Sequence, residues 1–365
     1  GVFASWLYFI GVGALLMRSI KVDFDLFAIL AFGISLIVGW LVVCVSFWMN
    51  LNDISIFIFI GAISVTYAFK KTAYGKALLA RPYGYCSQKS NKTIEMFVLI
   101  VLVVVVLITL RDSQTFVFLR WDTIVSWNRW AAELYSNQYN PINAAYPVLF
   151  PGLWSLIYKA QANPFFSSIV KLSTSIFIIV PILLTSLVLR RSRLAGCAIA
   201  YVLGYAFYNY IGGSVFAGYM DGVVALLIFS AVTCMVLSLH DFNHGSAGSG
   251  QMLLLAAIVL GGAASVSKQA GAIMLPVGYL VIFITLQKKW LSRPMAMLVA
   301  CVLTAPIFLY YLIYFNVTEA SPVGNITGLI SITEARSSEL GFLKLGLDKV
   351  LGFLPLPVMV FMIIV

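Results

Sequence analysis

The chain has 365 residues, of which 62% are hydrophobic and only 10% are charged, and its mean hydropathy is +1.00. Soluble domains average roughly 45–50% apolar and about 25% charged residues, so this composition excludes a water-soluble fold and predicts an all-α, polytopic membrane protein. The net charge of +10 would suit nucleic-acid binding, but most charges cluster in loops between apolar runs, as the positive-inside rule describes. We therefore expect a lipid bilayer, and no nucleic acid, as a partner.

Apolar runs of roughly span length recur along the chain and predict about ten or eleven transmembrane helices in a single domain, 1–365. The chain starts Gly-Val-Phe and ends inside an apolar run, so we expect that both ends are cut and that a C-terminal part is missing. In chain order, the runs lie near residues 2–17, 24–48, 54–69, 94–110, 168–189, 194–216, 222–239, 252–267, 271–287, 295–315 and 349–365.

The placement of lysine and arginine predicts which loops face the cytoplasm. Segment 70–93 holds six basic residues, and cytoplasmic loops carry an excess of them. Alternation of the spans then places Arg18 and Lys21 inside and residues 111–167 outside, as a large loop with interfacial helices. A second outer loop follows at 316–348.

Segment 146–160 is apolar, yet it is short and contains two prolines. If this segment crossed the membrane, Arg190, Arg191 and Arg193 would lie outside, against the positive-inside pattern. We therefore predict that it does not cross. It would instead form a half-embedded helix at the outer surface, with Trp154 and its tyrosines at the lipid interface.

The first outer loop concentrates tryptophan beside charged residues in the string RWDTIVSWNRWAAELY, residues 120–135. Trp127, Trp130 and Leu134 share one helix face, which predicts a helix lying on the membrane surface. Asp122 stands at the start of that helix. It is either a cap or first-turn acid of the helix, or a carboxylate held at the membrane boundary as a general base.

Three segments, in chain order, carry a resemblance to a known family. WDTIVSWNRWAAELY, followed by YPVLFPGLW, resembles the first outer loop of bacterial GT-C superfamily glycosyltransferases, with its W-D-x-x-x-x-W and Y-P-x-x-x-P elements. AGYMDGVVALL at 217–227 resembles the G-Y-x-D segment of that family, and SVSKQAG at 265–271 resembles its T-K-x-E-G segment. Together these segments lie within residues 111–271, about half of the chain.

The resemblance implies an inverting glycosyltransferase of the bacterial cytoplasmic membrane. Such an enzyme moves a sugar from a polyprenyl-phosphate donor to a glycan, lipid or protein acceptor on the outer face. Asp122 would be the general base that deprotonates the acceptor. Asp221 would be a second catalytic acid that positions the acceptor. No cofactor is certain; a divalent cation, Mg or Mn, would bind at these two carboxylates.

Lys268 is the best candidate for the donor phosphate, since an ionisable group near the outer end of a span is costly and usually functional. Structural alternatives are a lysine that snorkels to the interface and, for Asp221, an N-terminal helix cap. Where the family usually has Glu this chain has Ala270, so the role of that carboxylate stays open. The full set of candidate donor-binding residues is Lys268, Gln269, Arg120, Arg129, Trp121, Trp127 and Tyr146.

Two other functions fit the composition. A lipid-linked polysaccharide polymerase or ligase would use arginine and histidine in a large outer loop, and neither outer loop contains histidine. A non-enzymatic lipid or solute transporter would carry charges midway along several spans, whereas the charges here lie mostly at span ends.

Overall fold

A computed structural model describes residues 13, 24–48, 92–113, 118, 123–139, 147–161, 163–164 and 167–318. Within these ranges the chain is helical and contains no strand. The helices are α1 Phe24–Trp48, α2 Lys92–Ser113, α3 Arg129–Tyr135, α4 Leu149–Gln161, α5 Ser167–Ser173, α6 Ile179–Leu189, α7 Arg193–Ala206, α8 Gly212–Phe216, α9 Met220–Asn243, α10 Ala247–Ser265, α11 Met274–Gln287 and α12 Arg293–Thr318.

Short non-α turns join several of these helices. Thr123–Asn128 is a π-helical segment that leads into α3, and Phe207–Ile211 is a second one between α7 and α8. Turns of 3₁₀ helix at Thr174–Ile178 and Gln269–Ile273 precede α6 and α11. The chain divides into two compact units, Gly1–Ile313 and Tyr314–Val365, and every contact described below lies in the first.

The predicted class is confirmed: this is an all-α, polytopic membrane protein. Seven helical stretches among the described residues are long and apolar enough to cross a bilayer, and each matches a predicted run. They are Asp25–Phe47, Thr93–Arg111, Arg193–Phe216, Met220–Asn243, Ala247–Ser265, Gln269–Gln287 and Arg293–Tyr310. The run 168–189 contains the shorter apolar helix α6. The runs 2–17 (apart from Gly13), 54–69 and 349–365 lie outside the described residues, as do 70–91 and 319–348.

Helix α1 has the position of a core helix, because it packs against α4, α6 and α10. Leu30, Leu36 and Trp40 are fully buried. The indole N–H of Trp40 donates to the backbone oxygen of Pro306 at 2.9 Å, which ties α1 to α12. A buried indole N–H needs such a partner, so the bond makes the burial of Trp40 possible.

One end of the bundle is held by two arginine–aspartate pairs. Arg190 contacts Asp25 at 3.1 Å, and Arg191 contacts Asp241 at 3.1 Å. Ser249 also donates to Asp241, at 2.6 Å. These contacts bring the start of α1, the loop between α6 and α7 and the loop between α9 and α10 together. The basic-residue pattern assigns these loops to one side of the membrane. We call this end of the bundle the basic end; its location at the cytoplasmic face stays a prediction.

The two tryptophan-rich helices of the first outer loop differ from the expectation. Trp127, Trp130 and Leu134 do share one face, but this face is buried, and α3 packs against α4 rather than lying with that face on the membrane. Helix α4 is itself buried from its first residue to Tyr158, and Trp154 is 1% exposed instead of facing lipid headgroups. With 13 residues, about 20 Å long, α4 is too short to cross a bilayer core of about 30 Å.

Candidate functional site

The end of the bundle opposite the basic end brings the three sequence segments together. The first contact joins the W-D segment to the G-Y-x-D segment: the Thr123 hydroxyl donates to the backbone oxygen of Ala217 at 3.0 Å. Next to it, Gly218 has φ +83°, and a Cβ there would lie 2.6 Å from side-chain atoms of both Phe118 and Thr123. Only glycine suits this position, because the backbone is left-handed and the neighbours leave no room for a side chain.

The left-handed turn at Gly218 sets the start of α9 and so the position of Asp221. The N-terminal cap of α9 is Tyr219, with extended backbone, and Asp221 lies in the first helical turn. The structural alternative of Asp221 as the cap is therefore wrong, although a first-turn carboxylate still interacts favourably with the helix dipole. The Asp221 side chain is 64% exposed and so accessible to ligands.

Lys268 approaches Asp221 from the third segment. After α10 ends, Lys268 adopts extended backbone before the turn Gln269–Ile273. Its ammonium lies 2.5 Å from Asp221 Oδ1, across 47 residues of chain, and its side chain is 22% exposed. Asp221 and Lys268, both candidate site residues, therefore form a direct ion pair. Gln269 is exposed beside Lys268.

The Y-P-x-x-x-P element reaches the same place through its backbone. The Leu149 N–H at the start of α4 donates to the Val266 oxygen at 3.0 Å, two residues before Lys268. Pro147 and Val148 are buried there. Each of the four motif elements therefore has a described residue in contact with, or within, the two segments that carry Asp221 and Lys268.

The remaining tryptophan-segment residues have structural partners. Arg129 pairs with Glu133 one turn along its own helix, at 2.6 Å, rather than with the Asp221–Lys268 pair. Trp127 packs edge to face on Trp130, with ring centroids 5.1 Å apart. The Tyr158 hydroxyl donates to Asn128, and burial raises the pKa of Tyr158 despite this bond, so the hydroxyl stays protonated.

Four predicted site residues lie outside the described residues: Arg120, Trp121, Asp122 and Tyr146. A common cavity formed by Asp122, Asp221 and Lys268 therefore stays a prediction. In the described part of the chain, no three His, Cys, Asp or Glu side chains come together as a metal site. A divalent cation at Asp221 would have to share this carboxylate with Lys268.

Sequence reasoning missed two lysines near this end. Lys171, in the short helix α5, is 6% exposed although it stands in an apolar run. Lys159, in α4, donates to Ser46 at 2.9 Å and to Asn137 at 3.4 Å. A lysine inside an apolar run is the signal that would have marked Lys171.

Comparison with protein-family models, with curated proteins and with solved structures found no match to this chain.

Proposed function

We propose that this chain is a GT-C type membrane glycosyltransferase that moves a sugar, with inversion, from a polyprenyl-phosphate donor to an acceptor. The observation that carries the proposal is the convergence of motif segments. Three stretches that resemble the family, far apart in sequence, meet through Thr123 and Ala217, Leu149 and Val266, and Asp221 and Lys268. Span alternation alone would place these segments at one end of the bundle, so the support comes from the direct contacts between them.

The proposed division of labour follows from the charges. Asp122, directly before Thr123 in the chain, takes the proton of the acceptor nucleophile. Lys268 binds the donor phosphate through a charge-assisted hydrogen bond. Asp221 holds Lys268 in place before the donor arrives, and its exposed carboxylate is then available to orient the acceptor.

The distribution of charge supports an enzyme over a transporter. In the seven candidate spans every Asp, Glu, Lys and Arg lies in the first or last turn, among them Asp25, Arg111, Asp221 and Asp241. A transporter pathway would place ionisable groups at mid-membrane depth. Charges confined to the ends suit a reaction carried out at the membrane surface on a lipid-linked substrate.

The test is Asp122→Asn. Asparagine keeps the shape of the side chain but cannot take up the proton, so transfer should fall by about 10²–10⁴-fold, the usual contribution of a general base. The readout is mass spectrometry of cell-envelope glycans from cells with and without the protein, which also identifies sugar and acceptor.

The matched control is Asp112→Asn, the same chemical change in the last turn of α2 ten residues earlier, which should leave transfer within a few-fold of wild type. Equal membrane levels of both variants exclude a folding defect. Activity of Asp122→Asn within a few-fold of wild type would show that Asp122 is only a cap or a surface charge.

A further inference from the structure

A lateral groove separates the outward faces of α2 and α7. Its volume is about 580 Å³, in the range of small-molecule sites, and it is open at the side. The residues that line it are almost all apolar or aromatic. Several of these side chains are strongly exposed, including Phe97 at 67% and Tyr208 at 55%. The groove is lined by Phe97, Val98, Val101, Leu102, Val105, Ile108, Cys197, Ala200, Tyr201, Gly204, Tyr205, Tyr208 and Asn209. Because both helices are candidate spans, whatever fills the groove enters from the bilayer.

The groove carries tyrosines at an unusual depth. Tyr201 and Tyr205 lie about 12 and 18 Å along the helical stretch that starts at Arg193, close to the middle of a bilayer core about 30 Å thick. Membrane tyrosines normally concentrate at the interfaces. Here the Tyr201 and Tyr205 rings stack, with centroids 6.3 Å apart, and form one wall of the groove. Rigid aromatic side chains offer a large contact area to an extended apolar chain.

The outer mouth of the groove is positively charged. Ile108 lines the groove, and Arg111 lies three residues further along the same face of α2, in its last turn, and is exposed. On the opposite wall, Tyr208 and Asn209 offer polar groups at the same end. An apolar groove with a guanidinium at its mouth is complementary to an anionic lipid, whose chain and phosphate have this order of polarity.

The mouth also adjoins the Asp221–Lys268 pair. Tyr208 and Asn209 belong to the π-helical segment that continues into α8. The Ser214 hydroxyl of α8 accepts from the Gly222 N–H at 3.3 Å, beside Asp221. Thr109 of α2 packs closely against Gly212 of α8: a Cβ on Gly212 would lie 2.3 Å from the Thr109 methyl group. One short helix therefore connects the mouth of the groove to the candidate site.

We propose that this groove binds the isoprenoid chain of the polyprenyl-phosphate donor, and that Arg111 is a second cation, beside Lys268, for its phosphate. The inference rests on the proposed function, because it takes the donor class from there. The proposal states where the lipid enters, between α2 and α7. It also adds a phosphate-binding residue, Arg111, that lies outside the three motif segments.

The experiment uses the full chain in phosphatidylcholine nanodiscs and a prenyl phosphate that carries a photoreactive group on its chain. Mass spectrometry should map the cross-links to 97–108 and 197–209. Val101→Trp fills the groove from an exposed position and should abolish these cross-links. Val104→Trp is the control, because Val104 is equally exposed on the same helix (48% against 46%) but does not line the groove.

The charge is tested separately. Arg111→Gln should weaken binding of the probe about tenfold or more, the loss expected for a charge-assisted hydrogen bond, while Arg293→Gln at the basic end should not change it. Unchanged binding in Arg111→Gln, or cross-links that persist in Val101→Trp, would overturn the proposal. Equal competition by dioleoyl phosphatidic acid would also overturn it, since the groove would then be a general site for anionic phospholipids.

These readouts are independent of sugar transfer. Asp122→Asn should be cross-linked like wild type although it does not transfer sugar. Cross-links in the groove of a protein that leaves envelope glycans unchanged would support the groove and contradict the glycosyltransferase. Normal transfer with cross-links elsewhere would contradict the groove alone.

Discussion

Lys268 and Asp221 form an ion pair whose energetics point away from a purely structural role. Exposed ion pairs typically contribute about 0.2–1 kcal/mol to stability, and Asp221 is 64% exposed. Two helices bring these residues together across 47 positions, yet the bundle gains little stability from their contact. The pair is better suited to hold a lysine ready for an anion than to hold the fold.

Lys268→Ala should therefore separate binding from stability. We expect donor binding to weaken about tenfold or more, because a hydrogen bond to a charged group contributes about 1.5–3 kcal/mol, while the free energy of unfolding changes by less than about 1 kcal/mol. Titration with a prenyl phosphate and thermal unfolding measure the two effects. Lys288→Ala, an exposed lysine at the basic end, is the control for loss of charge. Unchanged donor affinity in Lys268→Ala would contradict the proposed donor site.

Some side-chain contacts could be predicted from the sequence and others could not. Lys268 and Asp221 were expected at one end of the bundle because each stands at a span end, although their direct pairing required the fold. Arg129 and Glu133 are four residues apart on a helix, a spacing that favours an ion pair, so the partner of Arg129 was predictable. The burial of Lys171 was not, because it depends on which helices surround α5.

At the scale of elements, periodicity predicted a helix face but not what covers it. The apolar face of α3 is where the spacing of Trp127, Trp130 and Leu134 placed it. A membrane surface and a neighbouring helix both favour such a face, so the pattern alone cannot distinguish them. Helix α4 is the actual neighbour, and it is buried on all sides as far as Tyr158 because it is enclosed by protein.

The docking of the W-D segment on the turn before α9 depends on Gly218. Gly218→Ala should destabilise the protein, because a left-handed backbone costs an alanine about 1–2 kcal/mol and the added Cβ also displaces Phe118 and Thr123, for about 1–3 kcal/mol more. Gly245→Ala is the matched control: its φ is +77°, but nothing lies within 4 Å of its Cβ position. Thermal unfolding in detergent compares the two. An equal loss of stability in both variants would show that the segment is not held against Gly218.

At the scale of the whole molecule, composition and charge predicted the fold class and seven of the spans, because hydrocarbon selects for length and apolarity along one segment at a time. The same signals could not predict which span would be central. Helix α1 owes that position to contacts with residues 100 to 270 positions away, which no local pattern records.

The two ends of the bundle give a topological prediction. In a variant without its native cysteines, Ser192→Cys should react with a membrane-impermeant thiol reagent only from the cytoplasmic face, and Gln269→Cys only from the outer face. Both positions are exposed, and they lie beside Arg191 and Lys268 at opposite ends. Labelling of both from one face, or of Ser192→Cys from outside, would contradict the two-ended arrangement and the outer location of the site.

The hydrogen bond from Trp40 to Pro306 has a consequence for how the protein is made. Its partners are 266 residues apart, so at roughly 5–20 residues per second the ribosome needs about 13–50 s to supply the second after the first. Helix α1 is therefore synthesised before Pro306, the acceptor of its Trp40 indole N–H. It is also synthesised before Arg190, which contacts its Asp25 carboxylate. A deeply buried helix therefore enters the membrane before two of its distant polar partners exist, and the insertion machinery or early neighbouring helices must shelter it until those partners arrive.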